Sequence, residues 1–236
     1  MTTLLGLKTE KGGESVVLAS DLNRTSSSYV GSEDVLYRRQ TKEDGQKIHV
    51  DDSGQFAFCM SGIFDRFYIN FLKLLRSGEI DIRKAIKEGF FEELKGLNLS
   101  RWGGEVPKSD MNSLLIATRF DNKPSLYTCY PLGKLSQRAC TSIGSGSDYA
   151  NEHLLRHVTE IPEKINTSEG INLAGECLSL ASRDIYTGGI DIVVLTPGKI
   201  DSFGDEIKRA MDSSRRRTLT RIGKRFKQPT TQPASL

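Results

Sequence analysis

Histidine is scarce in this 236-residue chain: His49, His153 and His157 are all it has. A three-histidine metal site or a histidine-based catalytic triad therefore has few places to be built. The four cysteines, Cys59, Cys129, Cys140 and Cys177, include no C-x-x-C pair. With no export signal ahead of them, they read as reduced and mostly buried thiols. No apolar run approaches the roughly 18 residues of a spanning helix. The start, MTTLLGLKTEKGG, turns polar too soon for a signal peptide. A cytoplasmic setting without a membrane partner is the expectation. Neither G-x-G-x-x-G nor G-x-x-x-x-G-K-[ST] occurs, so the sequence gives no reason to expect a cofactor or a metal.

What is present is the composition of a globular protein, with 37% hydrophobic and 27% charged residues. A chain of this length has room for a sizeable core. Its charge is segregated. Residues 207–236 hold nine Lys or Arg and one acid, so this tail carries +8 and the rest −5 of a formal net +3. The stretch QPTTQPASL at the end is polar and proline-bearing, which predicts disorder. We divide the chain into a domain over 2–206 and a basic, partly disordered tail over 207–236. Charge alone argues for a nucleic-acid role of that tail, without interleaved aromatics to stack on bases beyond Phe226, and a solvated C-terminal helix explains it more simply.

The hydrophobic pattern predicts strands at 2–7 and 15–21, with the polar turn KTEKGGE between them. Residues 22–46 read as a long loop or ragged hairpin. KIHV and QFAFCMSG are two further strands. A helix is predicted over 65–76 and another within 80–96, where Ile82, Ile86, Phe90 and Leu94 recur every four residues. Strands follow at 114–120, 125–133 and 139–147, helices at 148–159 and 168–183, a strand at 190–196 and a last helix over about 201–214. Strands come as antiparallel hairpins and helices in pairs. That order excludes a doubly wound sheet and points to helix pairs outside antiparallel sheets.

Several segments stand out. GSGS (144–147) separates a strand from a helix, a tight turn carrying a serine. TGG (187–189) precedes the most apolar strand, where glycines allow a close backbone approach. Asp21 ends one strand and Lys47 opens another. Singly, each has an ordinary structural explanation. In order along the chain, TTLLGL, VVLASDLNRT, the lysine before a short strand, FCMSG, SIGSGSDYA and SRDIYTGGIDIVVLT resemble proteasome β-type subunits, members of the N-terminal nucleophile hydrolases. The resemblance runs from residue 2 to about 200 and is weak over 76–138. The stretch from Ser26 to Gln46 is longer than is usual in that family.

The resemblance implies an α+β fold, a four-layer αββα sandwich of two antiparallel sheets flanked by helices. It implies a threonine peptidase whose nucleophile is Thr2, freed by removal of Met1. Lys47 resembles the family's active-site lysine and Asp21 the carboxylate that holds it. Ser145, Asp184 and Thr187 resemble the residues that orient the terminal amine, with threonine in place of the usual serine at 187. Gly62 resembles the glycine whose N–H stabilises the oxyanion. Arg24, Met60 and Phe64 fall near positions lining the first specificity pocket, although core packing explains Met60 equally well. The chemistry is coherent without a histidine, since a terminal α-amine titrates near 8 and can act as the base. The implied partners are unfolded polypeptide and a homo- or hetero-oligomeric ring of β-type and possibly α-type subunits. Two alternatives stay open: a proteasome-like amidase or transpeptidase, and a non-catalytic structural β-type subunit.

Overall fold

In the computed structural model the described residues are 3–32, 35–44, 47–62, 66–102, 112–157, 161–182, 189–203 and 215–226. The chain begins its described part inside a sheet. Strand β1 (Thr3–Thr9) pairs antiparallel with β2 (Ser15–Ser20), and the two are almost wholly buried. After Asp21 the chain leaves as a two-stranded ribbon, β3 (Asn23–Ser32) and β4 (Val35–Asp44), paired from Asn23↔Asp44 to Ser32↔Val35. The ragged hairpin is thus a continuous ladder. Strands β5 (Ile48–Val50) and β6 (Phe56–Ser61) follow.

Three helices come next: α1 (Arg66–Ser77), α2 (Ile82–Glu88) and α3 (Glu92–Trp102). The single helical pattern over 80–96 is therefore two helices. Gly89, at φ +67, caps α2 in the left-handed region and turns the chain before α3 starts. Strands β7 (Ser113–Thr118), β8 (Ser125–Cys129), β9 (Leu135–Arg138) and β10 (Cys140–Gly144) precede α4 (Ser147–Leu155) and α5 (Thr167–Ala181). A capping box starts α5: Asn166 accepts from the Glu169 N–H while Glu169 accepts from the Asn166 N–H. Strands β11 (Asp191–Leu195) and β12 (Ile200–Ser202) and helix α6 (Arg215–Lys224) complete the described chain.

The strands form two five-stranded antiparallel sheets, ordered β10-β1-β2-β11-β12 and β5-β6-β7-β8-β9. The core divides into three clusters that match the gaps between four layers. Leu4, Leu18, Val193, Ile48, Cys59 and Leu115 meet between the sheets. The outer face of the first sheet packs on α4, α5 and α6, and that of the second on α1, α2 and α3. Gly6 shows how closely the sheets approach, since a Cβ there would lie 2.6 Å from Leu126 Cδ1. The expected αββα sandwich is the observed fold.

Two expectations for the C-terminal part need correction. Asp201 and Ser202, placed in a last helix over about 201–214, belong to strand β12 instead, held by the β11 pairings Val194↔Asp201 and Val193↔Ser202. Residues 204–214 lie outside the described ones. Further on, α6 falls in what was set apart as a tail, yet Leu219 and Ile222 are buried in the first sheet's helix layer. Gly175 makes room for Leu219 there. The density of arginine hid an amphipathic helix, whose two apolar residues three apart anchor it.

Candidate active site

One end of the two sheets collects Asp21, Lys47, Gly62 and Ser145, four of the six singled-out residues that are described. Asp21 directly follows β2 and is fully buried. Its two carboxylate oxygens have separate uses. Oδ1 accepts the Thr3 backbone N–H at 2.6 Å, and Oδ2 accepts from Lys47 Nζ at 2.8 Å. The Asp21 N–H in turn donates to the Thr3 carbonyl at 3.1 Å. The lysine side chain is 7% exposed. A buried ion pair of this kind is a poor way to gain stability, because desolvation offsets most of the Coulomb gain. Its worth lies in a cation held in one place beside the start of β1.

The register gathers further residues at this end. Thr3 pairs with Gly144, so Ser145, exposed in the turn before α4, follows at the same edge. Gly189, the last glycine of TGG, packs so tightly that a Cβ would lie 2.8 Å from Leu22 Cβ, next to Asp21. Gly62 follows β6 at φ +128. A Cβ at this position would lie 1.9 Å from Asn112 Oδ1 and 2.8 Å from Asn112 Cα. No residue but glycine fits here, on grounds of both space and backbone conformation.

Thr2, Phe64, Asp184 and Thr187 lie outside the described residues. Arg24 is placed as the second residue of β3. Met60 is 3% exposed and packs with the helices on the outer face of the second sheet. Of the two readings open for Met60, the structure has core packing. Among the described residues, no three His, Cys, Asp or Glu side chains are grouped to hold a metal ion, and no helix is long and apolar enough to cross a membrane.

Sequence reasoning missed three buried polar residues near this end. Asp191 opens β11 opposite Ser20 and is 1% exposed. The signal was an acid heading the most apolar strand, in step with the inward-facing Val193 and Leu195. Asn98 and Asn112, 1% and 0% exposed, flank the Gly62 side of the site. Cys59, between the sheets, feels both Asp191 and Lys47. Burial pushes its thiol well up, the Asp191 charge pushes the same way, and Lys47 opposes them. Burial alone drives the Cys129 thiol up to about 12, and it leads the rise of Cys177 to about 12. Raised thiols hold little thiolate at neutral pH. We expect maleimide at pH 7.5 to leave Cys59, Cys129 and Cys177 unmodified in the folded protein. Mass spectrometry of labelled peptides, before and after unfolding, checks this.

Two antiparallel sheets face to face, clad by helices, are an α+β sandwich consistent with the N-terminal nucleophile hydrolase fold, and a buried lysine–aspartate pair lies beside its first strand. Comparison with known proteins narrows the class. The family model described as "Proteasome subunit" matches residues 108–195. Proteasome subunit beta 2 of Pyrococcus furiosus is 25% identical over 215 residues, covering 89% of this chain and 95% of that protein. The proteasome subunit beta of Haloferax volcanii is 27% identical over 205 residues, covering 85% and 75%. A shorter match to proteasome subunit beta 2 of Pyrococcus abyssi reaches 31% identity over 104 residues, covering 43% and 45%. The family model and the curated relatives together support the proteasome β-type family for this chain.

Proposed function

We propose that this chain is a threonine-type endopeptidase subunit of a proteasome-like ring, with Thr2 as nucleophile. The observation that carries the reading is the buried Lys47–Asp21 pair, whose carboxylate also anchors the backbone nitrogen of Thr3. Thr2 is bonded directly to that anchored nitrogen. Once Met1 is removed, Thr2 has a free amine and a hydroxyl on the same residue. The Lys47 charge favours the ionised hydroxyl and disfavours a second cation nearby, which keeps the amine available as a base.

The reaction then balances as follows. The amine, directly or through a water, takes the hydroxyl proton while Oγ of Thr2 bonds to the peptide carbonyl carbon. The carbonyl oxygen becomes an oxyanion, which the Gly62 N–H stabilises; such a donor is worth roughly 3–4 kcal/mol of barrier. The proton passes to the leaving nitrogen, the C–N bond breaks and an ester on Thr2 remains. Water adds to the ester, the carboxylic acid departs and Thr2 regains its hydroxyl. Ser145, Asp184 and Thr187 are assigned to orienting the amine, and Arg24 and Phe64 to the pocket for the residue before the cut bond. The main domain is taken as 2–206 together with α6, and the ring partners are β-type and possibly α-type subunits. Exposed Tyr149 and Leu155 on α4 suit a helix that meets a neighbouring subunit.

The intact mass and N-terminal sequence of the purified protein test this reading first. Loss of one methionine, leaving Thr2 at the terminus, is expected. A Thr2→Ala control should then lower cleavage of fluorogenic peptides by about a thousandfold or more. A retained Met1 in the assembled protein overturns the mechanism and favours a structural subunit.

A further inference from the structure

Where the second sheet ends beside Gly62, a side-chain amide takes the place of a strand. Asn98 lies on α3 and is 1% exposed. Its Oδ1 accepts the Asn112 N–H at 2.9 Å, and its Nδ2 donates to the Asn112 carbonyl at 3.0 Å. The same nitrogen donates to the Pro131 carbonyl at 2.7 Å. One planar amide thus binds both backbone groups of one residue, as an adjacent strand would. An asparagine inside a helix costs helix propensity, and a buried amide is costly unless fully satisfied. Here its oxygen and its nitrogen are both engaged, and they converge on a single backbone position.

That position faces Gly62. Ser61 pairs with Ser113 across β6 and β7, so Asn112 stands opposite Gly62 as the ladder runs out. Its Cα and side-chain oxygen form the wall that leaves Gly62 no room for a Cβ. Asn112 lies one residue past the last rung of that ladder, and Asn98 binds its backbone N–H and carbonyl there. We infer that Asn98 is a positioning residue which, through Asn112, holds the Gly62 backbone where its N–H meets the oxyanion formed during peptide cleavage. This rests on the Thr2 peptidase reading above.

The test separates attack by Thr2 from oxyanion stabilisation. A fluorogenic peptide amide requires both. A peptide vinyl sulfone requires only the first: Oγ adds to the alkene, its proton goes to the neighbouring carbon, and no carbonyl oxyanion forms. With the full chain in its assembled form, Asn98→Leu is expected to lower kcat about 10- to 100-fold. KM and the vinyl sulfone labelling rate should stay within about twofold of the wild type. An unchanged kcat overturns the proposal. So does an equal loss in both reactions, which marks a general structural role. Should Asn98→Leu not fold, Asn98→Asp keeps the acceptor for the Asn112 N–H and removes both donor contacts; absence of the split there overturns the proposal as well. A wild type that vinyl sulfone does not label at Thr2 removes the peptidase reading itself, and this inference with it.

Discussion

Lys47→Ala is expected to abolish peptide hydrolysis and to weaken the fold at the same time. The stability cost arises because Asp21 is fully buried, and its Oδ2 would lose the lysine that it accepts from. Removing one partner of a buried ion pair typically costs about 3–5 kcal/mol. The carboxylate would keep its bond from the Thr3 N–H, so β1 should stay in place. Under the proposed mechanism activity should fall by about a thousandfold or more, because the cation that favours the ionised hydroxyl would be lost. Urea denaturation and peptide turnover measure the two effects separately. The double variant Asp21→Ala/Lys47→Ala should be less destabilised than the sum of the single ones, since neither charge is then left unpaired. It should be just as inactive. Normal turnover in Lys47→Ala would remove the lysine from the mechanism.

Gly62→Ala is expected to have the second largest effect. The added methyl would start 1.9 Å from Asn112 Oδ1 and 2.8 Å from a backbone carbon, and only the first of these can rotate away. Holding a non-glycine residue at φ +128 adds strain, of order 1–3 kcal/mol. The backbone must shift, and an N–H that serves an oxyanion shifts with it. We expect kcat to fall about 10²- to 10³-fold while the melting temperature drops by a few degrees. A variant with wild-type kcat would show that the Gly62 N–H is not the donor.

Much of this architecture is legible in the chain because its main elements obey simple periodicities. The strands at 15–20 and 191–195 are short apolar runs buried on both faces, and such runs announce themselves. The order of hairpins and helix pairs was enough to exclude a doubly wound sheet. Elsewhere the signal was weak for physical reasons. Residues 23–44 are too polar to alternate, so nothing in their pattern marks a ladder, and only the register records it. Strand β12 has three residues, too few for any period. At the site, Asp21 and Lys47 could be named only as a pair of expectations. Their 2.8 Å contact depends on the sheets stacking, which no local pattern encodes. Asn98 and Asn112 are 14 residues apart and polar, and each reads alone as a surface residue. Asp191 carried a usable cue, a carboxylate in step with buried valines and leucines, and it passed unremarked.

The ribbon of β3 and β4 bears on the long segment between Asp21 and Lys47. It starts two residues after Asp21, at Asn23, and its last rung returns to Asp44, opposite Asn23. Facing residues of an antiparallel ladder stay about 5 Å apart however many rungs lie beyond them. The span across the foot of the ribbon is therefore independent of its length. Residues added or removed in matched pairs at the far end change its reach and leave the two charged side chains where they are. A long ribbon can thus sit between the two members of a buried ion pair, and the pair is as insensitive to its length as a hinge pin is to the size of the door.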